Sequence, residues 1–142
     1  MAGATGFRIR NEWPRPSISL LASFGNAASP QIADSMSRFG AMDSGIRPIW
    51  HSPRVIGSAL TVWCHAGDNL MIHKAIAMAQ KGDILVVNTQ GVVSNAPFGE
   101  LLATSAVNAG IVAVVIDGAV RDVEALEALT LPVYARGICP GG

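Results

Sequence analysis

Arg121 and Asp122 stand side by side at the end of VAVVIDGAVRD, residues 112–122. A guanidinium there can hold a carboxylate through paired hydrogen bonds, and the neighbouring carboxylate can hold a hard cation. The pair also suits a plainer use, in which Asp122 caps the helix suggested by VEALEAL and Arg121 lies in solvent. A second candidate is PFGELLATSA, where Gly99 leads into a helix. The first amides of that helix, those of Glu100, Leu101 and Leu102, have no helical partner and favour an anion. An ordinary glycine-started amphipathic helix accounts for the same residues. The third candidate is Gly67-Asp68-Asn69 followed by His73-Lys74, a polar patch at the head of an apolar helix. A capping Asp68 and a wetted helix face formed by Asn69, His73 and Lys74 are the stronger account of that patch, which gives it the weakest claim to chemistry of the three. His51, His65 and His73 lack the spacing of a zinc site, and neither a serine elbow nor a GxxxxGK loop occurs.

These groups need elements to carry them. The five apolar residues from Val112 to Ile116 predict a strand covered on both faces and ending at Asp117-Gly118. Ligand sites in open α/β sheets lie beyond the carboxyl ends of such strands, which is where Arg121 and Asp122 fall. Upstream, Ser29-Pro30 starts a helix with Ile32, Ala33, Met36 and Phe39 on one face and Gly40 as its stop. Arg47 to Pro53 reads as loop, Val55 to Cys64 as a strand, and Ile84 to Val87 as a short buried strand. Between those strands, Asp68 caps a helix carrying Leu70, Ile72, Ile76 and Met78, with Gly82 as its left-handed stop. Thr89 to Phe98 is loop, and the helix from Gly99 leaves through Asn108-Ala109-Gly110. A helix from Val123 to Leu129 and a last strand, LPVYA, complete the pattern. Residues 1–16 are aperiodic and read as an arm or flexible lead-in, and residues 17–142 as a single domain. The alternation from residue 55 onward predicts an α/β or layered α+β architecture. ARGICPGG ends in a Gly/Pro-rich turn with nothing to pair with, which reads as a truncation or as a chain whose remainder lies outside this sequence.

Composition narrows the function. The 142 residues are 50% hydrophobic and 14% charged, enough for a packed core and too apolar for disorder. Ten basic residues balance ten acidic ones, so no electrostatic footprint for nucleic acid is expected. The low charge and positive mean hydropathy point to apolar surface covered in an oligomer. Cys64 and Cys139 form neither a metal-ligand pair nor a disulfide framework, and a reduced cytoplasmic setting fits them. Neither a signal-peptide core nor a membrane-spanning apolar stretch is present.

In order and spacing these motifs resemble the RraA-like family, which includes the 4-hydroxy-4-methyl-2-oxoglutarate/4-carboxy-4-hydroxy-2-oxoadipate aldolases. The resemblance runs from Ala33-Asp34-Ser35 to the last residue, through FGAMDSGIRPIW, GSALTV, GDNLMIHKAI, KGDILVVN, FGELLATSAVNAGI, VVIDGAVRDVEAL and LPVYARGICPGG. It implies a compact layered α/β/α domain of the swivelling type with a mixed sheet, assembled as trimers or hexamers with sites between subunits. It further implies that Gly99, Glu100, Leu101 and Leu102 bind the pyruvate moiety through backbone amides, that Arg121 holds substrate, and that Asp122 holds Mg²⁺ or Mn²⁺. The activity implied is a metal-dependent carbon–carbon lyase that yields pyruvate and a second oxo acid, with oxaloacetate decarboxylation as a side activity. The cation would act there as a Lewis acid toward the 2-oxo acid. A metal-bound water or a nearby carboxylate would move the protons; Glu100 is the nearest candidate in sequence and equally suits solvent, and spacing supplies no general base. Members of the family generally continue into further strands past the ARG-x-x-P-x-G turn, which this sequence does not. Some members inhibit ribonuclease E instead, a use that gives Asp122 no evident task, and an inactive homologue is the third reading.

Overall fold

Four apolar runs and one unexpected dipeptide form a five-stranded sheet in the computed structural model, which describes residues 8–142. The strands are β1 (Arg47–Pro48), β2 (Ser58–Trp63), β3 (Asp83–Asn88), β4 (Ala113–Val120) and β5 (Val133–Ile138). The helices are α1 (Ile18–Ser23), α2 (Ser29–Ser35), α3 (Leu70–Met78), α4 (Glu100–Asn108) and α5 (Val123–Ala128). The sheet order is β1-β5-β4-β3-β2, with β2 to β5 mutually parallel and β1 antiparallel to β5. Each parallel step requires a crossover, and α3, α4 and α5 supply them in turn. The architecture is therefore a mixed α/β fold, as expected.

Strand periodicity divides the sheet into two unequal faces. Leu85, Val87, Val114, Ile116, Val133 and Ala135 are fully buried on one face, against Ile72, Ala103, Ala106 and Leu126 of the three crossover helices. At about 1.5–3 kcal/mol for each large side chain, this layer carries the fold. Ile84, Val86, Val115 and Tyr134 alternate onto the other face and stay half-buried. Several of them border a cleft of about 770 Å³ shared with Leu21, Phe24 and Ile32 of the first two helices. Neither α1 nor α2 buries a residue completely, so the second helical layer is thin.

Several expectations change in detail. Arg47 and Pro48, expected in a loop, pair with Ala135 and Tyr134, and this short antiparallel strand is what makes the sheet mixed. β4 does not stop at Asp117-Gly118. It runs to Val120 through a register shift against β5 between Ile116 and Ala119, where the Thr89 hydroxyl donates to the Asp117 carbonyl. The helix expected up to Phe39 ends at Ser35 because Ser37 and Arg38 turn left-handed, leaving Met36 and Phe39 exposed rather than packed. Helix α1, which no periodic pattern announced, starts at Ser17, whose hydroxyl accepts from the Leu20 amide. The first seven residues of the expected arm lie outside the described residues. Of its remainder, Trp13 packs against the core and Arg15 is ion-paired to Asp83, so this part is anchored rather than loose. Among the described residues no helix is long and apolar enough to cross a membrane.

Candidate active site

The carboxyl end of β4 is where three separate segments meet. Phe98, completely buried, bridges Val120 in parallel, and its carbonyl accepts from the Arg121 amide at 3.0 Å. On the other side of Val120, its carbonyl accepts from the Cys139 amide at 3.0 Å. The strand end is thus clamped on both sides, and Gly99 is carried against Arg121 and Asp122. A Cβ on Gly99 would lie 2.7 Å from Arg121 Cγ and would overlap the Asp122 carboxylate, so only glycine permits this approach.

Asp122 adopts a left-handed conformation, φ 57° and ψ 43°, which Asp tolerates better than most residues. It occupies the N-cap position of α5, yet its side chain makes no capping bond there. Its Oδ2 instead accepts from the Glu100 amide at 3.0 Å, capping the other helix, α4. The capping role considered from sequence is therefore real but belongs to a different helix. With Glu100 satisfied, the amides of Leu101 and Leu102 have no acceptor among the described residues, while the Ala103 amide already bonds Gly99 in the helical pattern. Two open N–H donors at a helix start, with the guanidinium of Arg121 beside them, form an anion-binding arrangement.

A cleft of about 130 Å³ is lined by Gly99, Leu101, Leu102, Arg121 and the Gly142 backbone packed on it, together with Gly67, Asn69 and His73. The head of α3 thus borders the same cleft. The three polar segments singled out from sequence therefore converge, including the α3 patch that sequence gave the weakest claim to chemistry. Gly67 holds a left-handed turn, φ 77°, and Asp68 Oδ1 accepts from the Leu70 amide at 2.9 Å, so the expected Asp68 cap forms one residue ahead of the helix proper. Asn69 and His73, one turn apart, lie on the same helix face. Lys74 borders a separate cleft beside β2. Glu100 is exposed and does not line the site cleft, so only its amide is brought to Asp122.

Arg121 Nε lies 3.6 Å from Asp122 Oδ2, with side chains 40% and 42% exposed, so neither group is saturated by the other. Among the described residues no group of three or more His, Cys, Asp or Glu could cage a metal. Asp122 Oδ1 accepts no hydrogen bond among them either. One free carboxylate oxygen suits a Mg²⁺-type cation, which keeps several waters and takes one or two carboxylates, and does not suit zinc. Cys64 is no nucleophile: burial, and then the charge of Asp68, push its thiol up to about 11.

Residues 29–142 match the RraA-like family, described as Aldolase/RraA. A Halalkalibacterium halodurans protein, itself only provisionally assigned as a 4-hydroxy-4-methyl-2-oxoglutarate aldolase, is 33% identical over 120 residues, which are 84% of this chain and 57% of that protein. A Xanthomonas campestris pv. campestris protein with the same provisional assignment is 33% identical over 79% of this chain and 67% of its own length. The solved structure of the RNA-processing inhibitor RraA from Thermus thermophilis superposes with a TM-score of 0.71 at 26% identity, covering 82% of this chain and 70% of that one. The chain thus spans little more than half of the first of these relatives. It belongs to the RraA-like family.

Proposed function

We propose that the chain carries the pyruvate-binding part of a divalent-metal-dependent aldolase acting on 4-hydroxy-4-methyl-2-oxoglutarate or 4-carboxy-4-hydroxy-2-oxoadipate, with oxaloacetate decarboxylation as a side activity. The observation that carries the reading is the pair of open amides at Leu101 and Leu102 beside the half-exposed Arg121. A 2-oxo acid presents a planar carboxylate that fits two N–H donors and a guanidinium, and all three become more valuable as negative charge develops on the adjoining oxo group. Asp122 would hold Mg²⁺ or Mn²⁺ through its free oxygen. When bound, the cation supplies Lewis-acid polarisation of the substrate's 2-oxo group.

The chain's own residues do the rest. The Asp122–Glu100 bond fixes the start of α4 against β4, so that amides, guanidinium and carboxylate keep one geometry without reorganising during the reaction. Gly99 lets them approach. The aldolase assignments of the bacterial relatives support this reading; the likeness to the inhibitor from Thermus supports the alternative of a ribonuclease E-binding protein, for which the open amides have no use. The test is pyruvate release from 4-hydroxy-4-methyl-2-oxoglutarate and from oxaloacetate, with Mg²⁺ or Mn²⁺ and with EDTA. Turnover that EDTA abolishes is expected. A folded, metal-supplemented protein that releases no pyruvate would leave the inhibitor or an inactive homologue.

A further inference from the structure

The two edges of the sheet are finished differently. β1 is two residues long and carries Pro48, which has no amide hydrogen to offer; shortness and proline are common ways of keeping an edge from pairing with another chain. β2 runs for six residues, Ser58–Trp63, with no charge, proline or register shift in SALTVW. Its Ser58 amide donates to the Gly82 carbonyl, and the Cys64 amide just beyond it to the Asn88 carbonyl. The ladder to β3 alternates with a period of two, so the amides and carbonyls of Ala59, Thr61 and Trp63 point away from β3. None of them has a hydrogen-bond partner among the described residues. A groove of about 450 Å³ runs along this open edge. It is lined by β2, by Met71, Lys74, Ala75 and Met78, which share one face of α3, and by Arg8 and Ile9 of the leading arm. Among the described residues Lys74 and Arg8 are its charged lining groups, and neither is ion-paired.

We propose that this groove takes an extended acidic peptide segment of a partner protein, which adds to β2 as a sixth strand of the sheet. The outward amides and carbonyls of Ala59, Thr61 and Trp63 match the backbone of an incoming strand, which supplies one donor and one acceptor at every second residue. Side chains of that strand alternate between faces, so every second one meets the α3 side of the groove, where the flexible Met71 and Met78 adapt to different apolar shapes. Lys74 and Arg8 favour carboxylates beside such an apolar residue and disfavour cations. A second copy of the chain is the poorer occupant. Pairing β2 with β2 about a two-fold axis sets Lys74 and Arg8 of both copies along one groove that no described carboxylate lines. The groove and the candidate active site share no lining residue, so the proposal stands apart from the aldolase reading.

The test uses isotope-labelled protein and a blocked heptapeptide with valine at its centre, glutamate two residues to either side and threonine elsewhere. Titrated to about 1 mM, this peptide should shift the amide resonances of Ala59, Thr61 and Trp63 and slow their hydrogen exchange. The same peptide with lysine in place of glutamate should bind about tenfold more weakly. N-methylation of the threonine amides and N-methylation of the intervening amides should differ, because one set alone faces β2: one pattern should abolish binding and the other leave it. Lys74→Glu should weaken the glutamate peptide about fivefold and strengthen the lysine peptide; Lys74 is exposed, so folding should survive. Three results would each overturn the proposal: no shift at the three amides, equal binding of the two charge types, or binding that survives both methylation patterns. Concentration-dependent dimerisation with those amides already protected would make a second copy the occupant, and overturns it as well.

Discussion

Arg15–Asp83 and Arg121–Asp122 put the same two side chains together at opposite ends of the sheet, and use them in opposite ways. At the amino end of β3, Arg15 donates to both Asp83 oxygens at 2.9 and 2.8 Å, and the Gln80 amide donates to Oδ2 at 2.9 Å. The Asp83 side chain is 2% exposed, and the Arg15 guanidinium sits 4.2 Å from the Trp13 ring centre. Burial pushes the Asp83 carboxyl up, but the hydrogen bonds from Arg15 and Gln80 together with the Arg15 charge outweigh it and hold the carboxyl below its usual range. At the carboxyl end of β4, the other pair is open, half-exposed and not mutually hydrogen-bonded. A saturated, desolvated pair fastens the chain; an unsaturated one keeps capacity for a ligand.

The comparison is sharpest in paired substitutions. Asp122→Ala should cut metal-dependent pyruvate release about 1,000-fold, roughly 4 kcal/mol, while removing the α4 cap costs only about 1 kcal/mol of stability. Asp83→Ala should do the reverse. Leaving Arg15 without its carboxylate should cost about 3 kcal/mol in urea unfolding, with turnover per folded molecule retained. If Asp122→Ala instead unfolds the protein, or Asp83→Ala silences folded protein, the division between fastening and binding pairs is wrong. Gly99→Ala comes next: its Cβ would force Arg121 and Asp122 away from α4, and a loss of about 10- to 100-fold in kcat/KM is expected with folding intact.

Acid should separate the pairs as well. The Asp83 carboxyl titrates lower in the folded than in the unfolded chain. The stability it contributes is therefore complete above the unfolded value, about 3.9, and disappears as pH falls through the lower folded value. Urea midpoints should show Asp83→Asn losing less stability than the unaltered protein as pH is lowered below about 4. Parallel curves would mean that the pair contributes nothing through its ionisation.

Sequence revealed the site's parts better than their arrangement. Val112 to Ile116, the Gly99 helix start and the Asp68 helix were legible because apolar period and capping chemistry are local properties. Helix α1 was not, since ISLLAS is too short and too uniformly apolar to show a phase, and Arg47-Pro48 becomes a strand only because β5 lies beside it. Continuation of β4 past Asp117-Gly118 depends on Thr89, which is distant in sequence. Asp122 could be read as a cap, but its choice of α4 over α5 follows from the Phe98–Val120 bridge. His73 reads as wetted helix surface for the same reason: the cleft it borders is lined by other parts of the chain.

A third arrangement sets the limit of the comparison. Arg136 is paired with Asp117 and also donates to Asp43 at 2.9 Å, but the Asp43 side chain is 60% exposed. The Gly45 amide, and then Arg136, hold the Asp43 carboxyl below its usual range, so the contact is electrostatically real. An exposed pair is nonetheless screened by solvent and offset by side-chain ordering, and Arg136 keeps Asp117 when Asp43 is lost. Asp43→Ala should therefore leave the urea midpoint where it is, the smallest effect of the set. A clear drop would show that saturation alone, without burial, suffices to turn an Arg–Asp contact into a fastening. Exposure would then no longer explain why Arg121 and Asp122 are left open at the cleft.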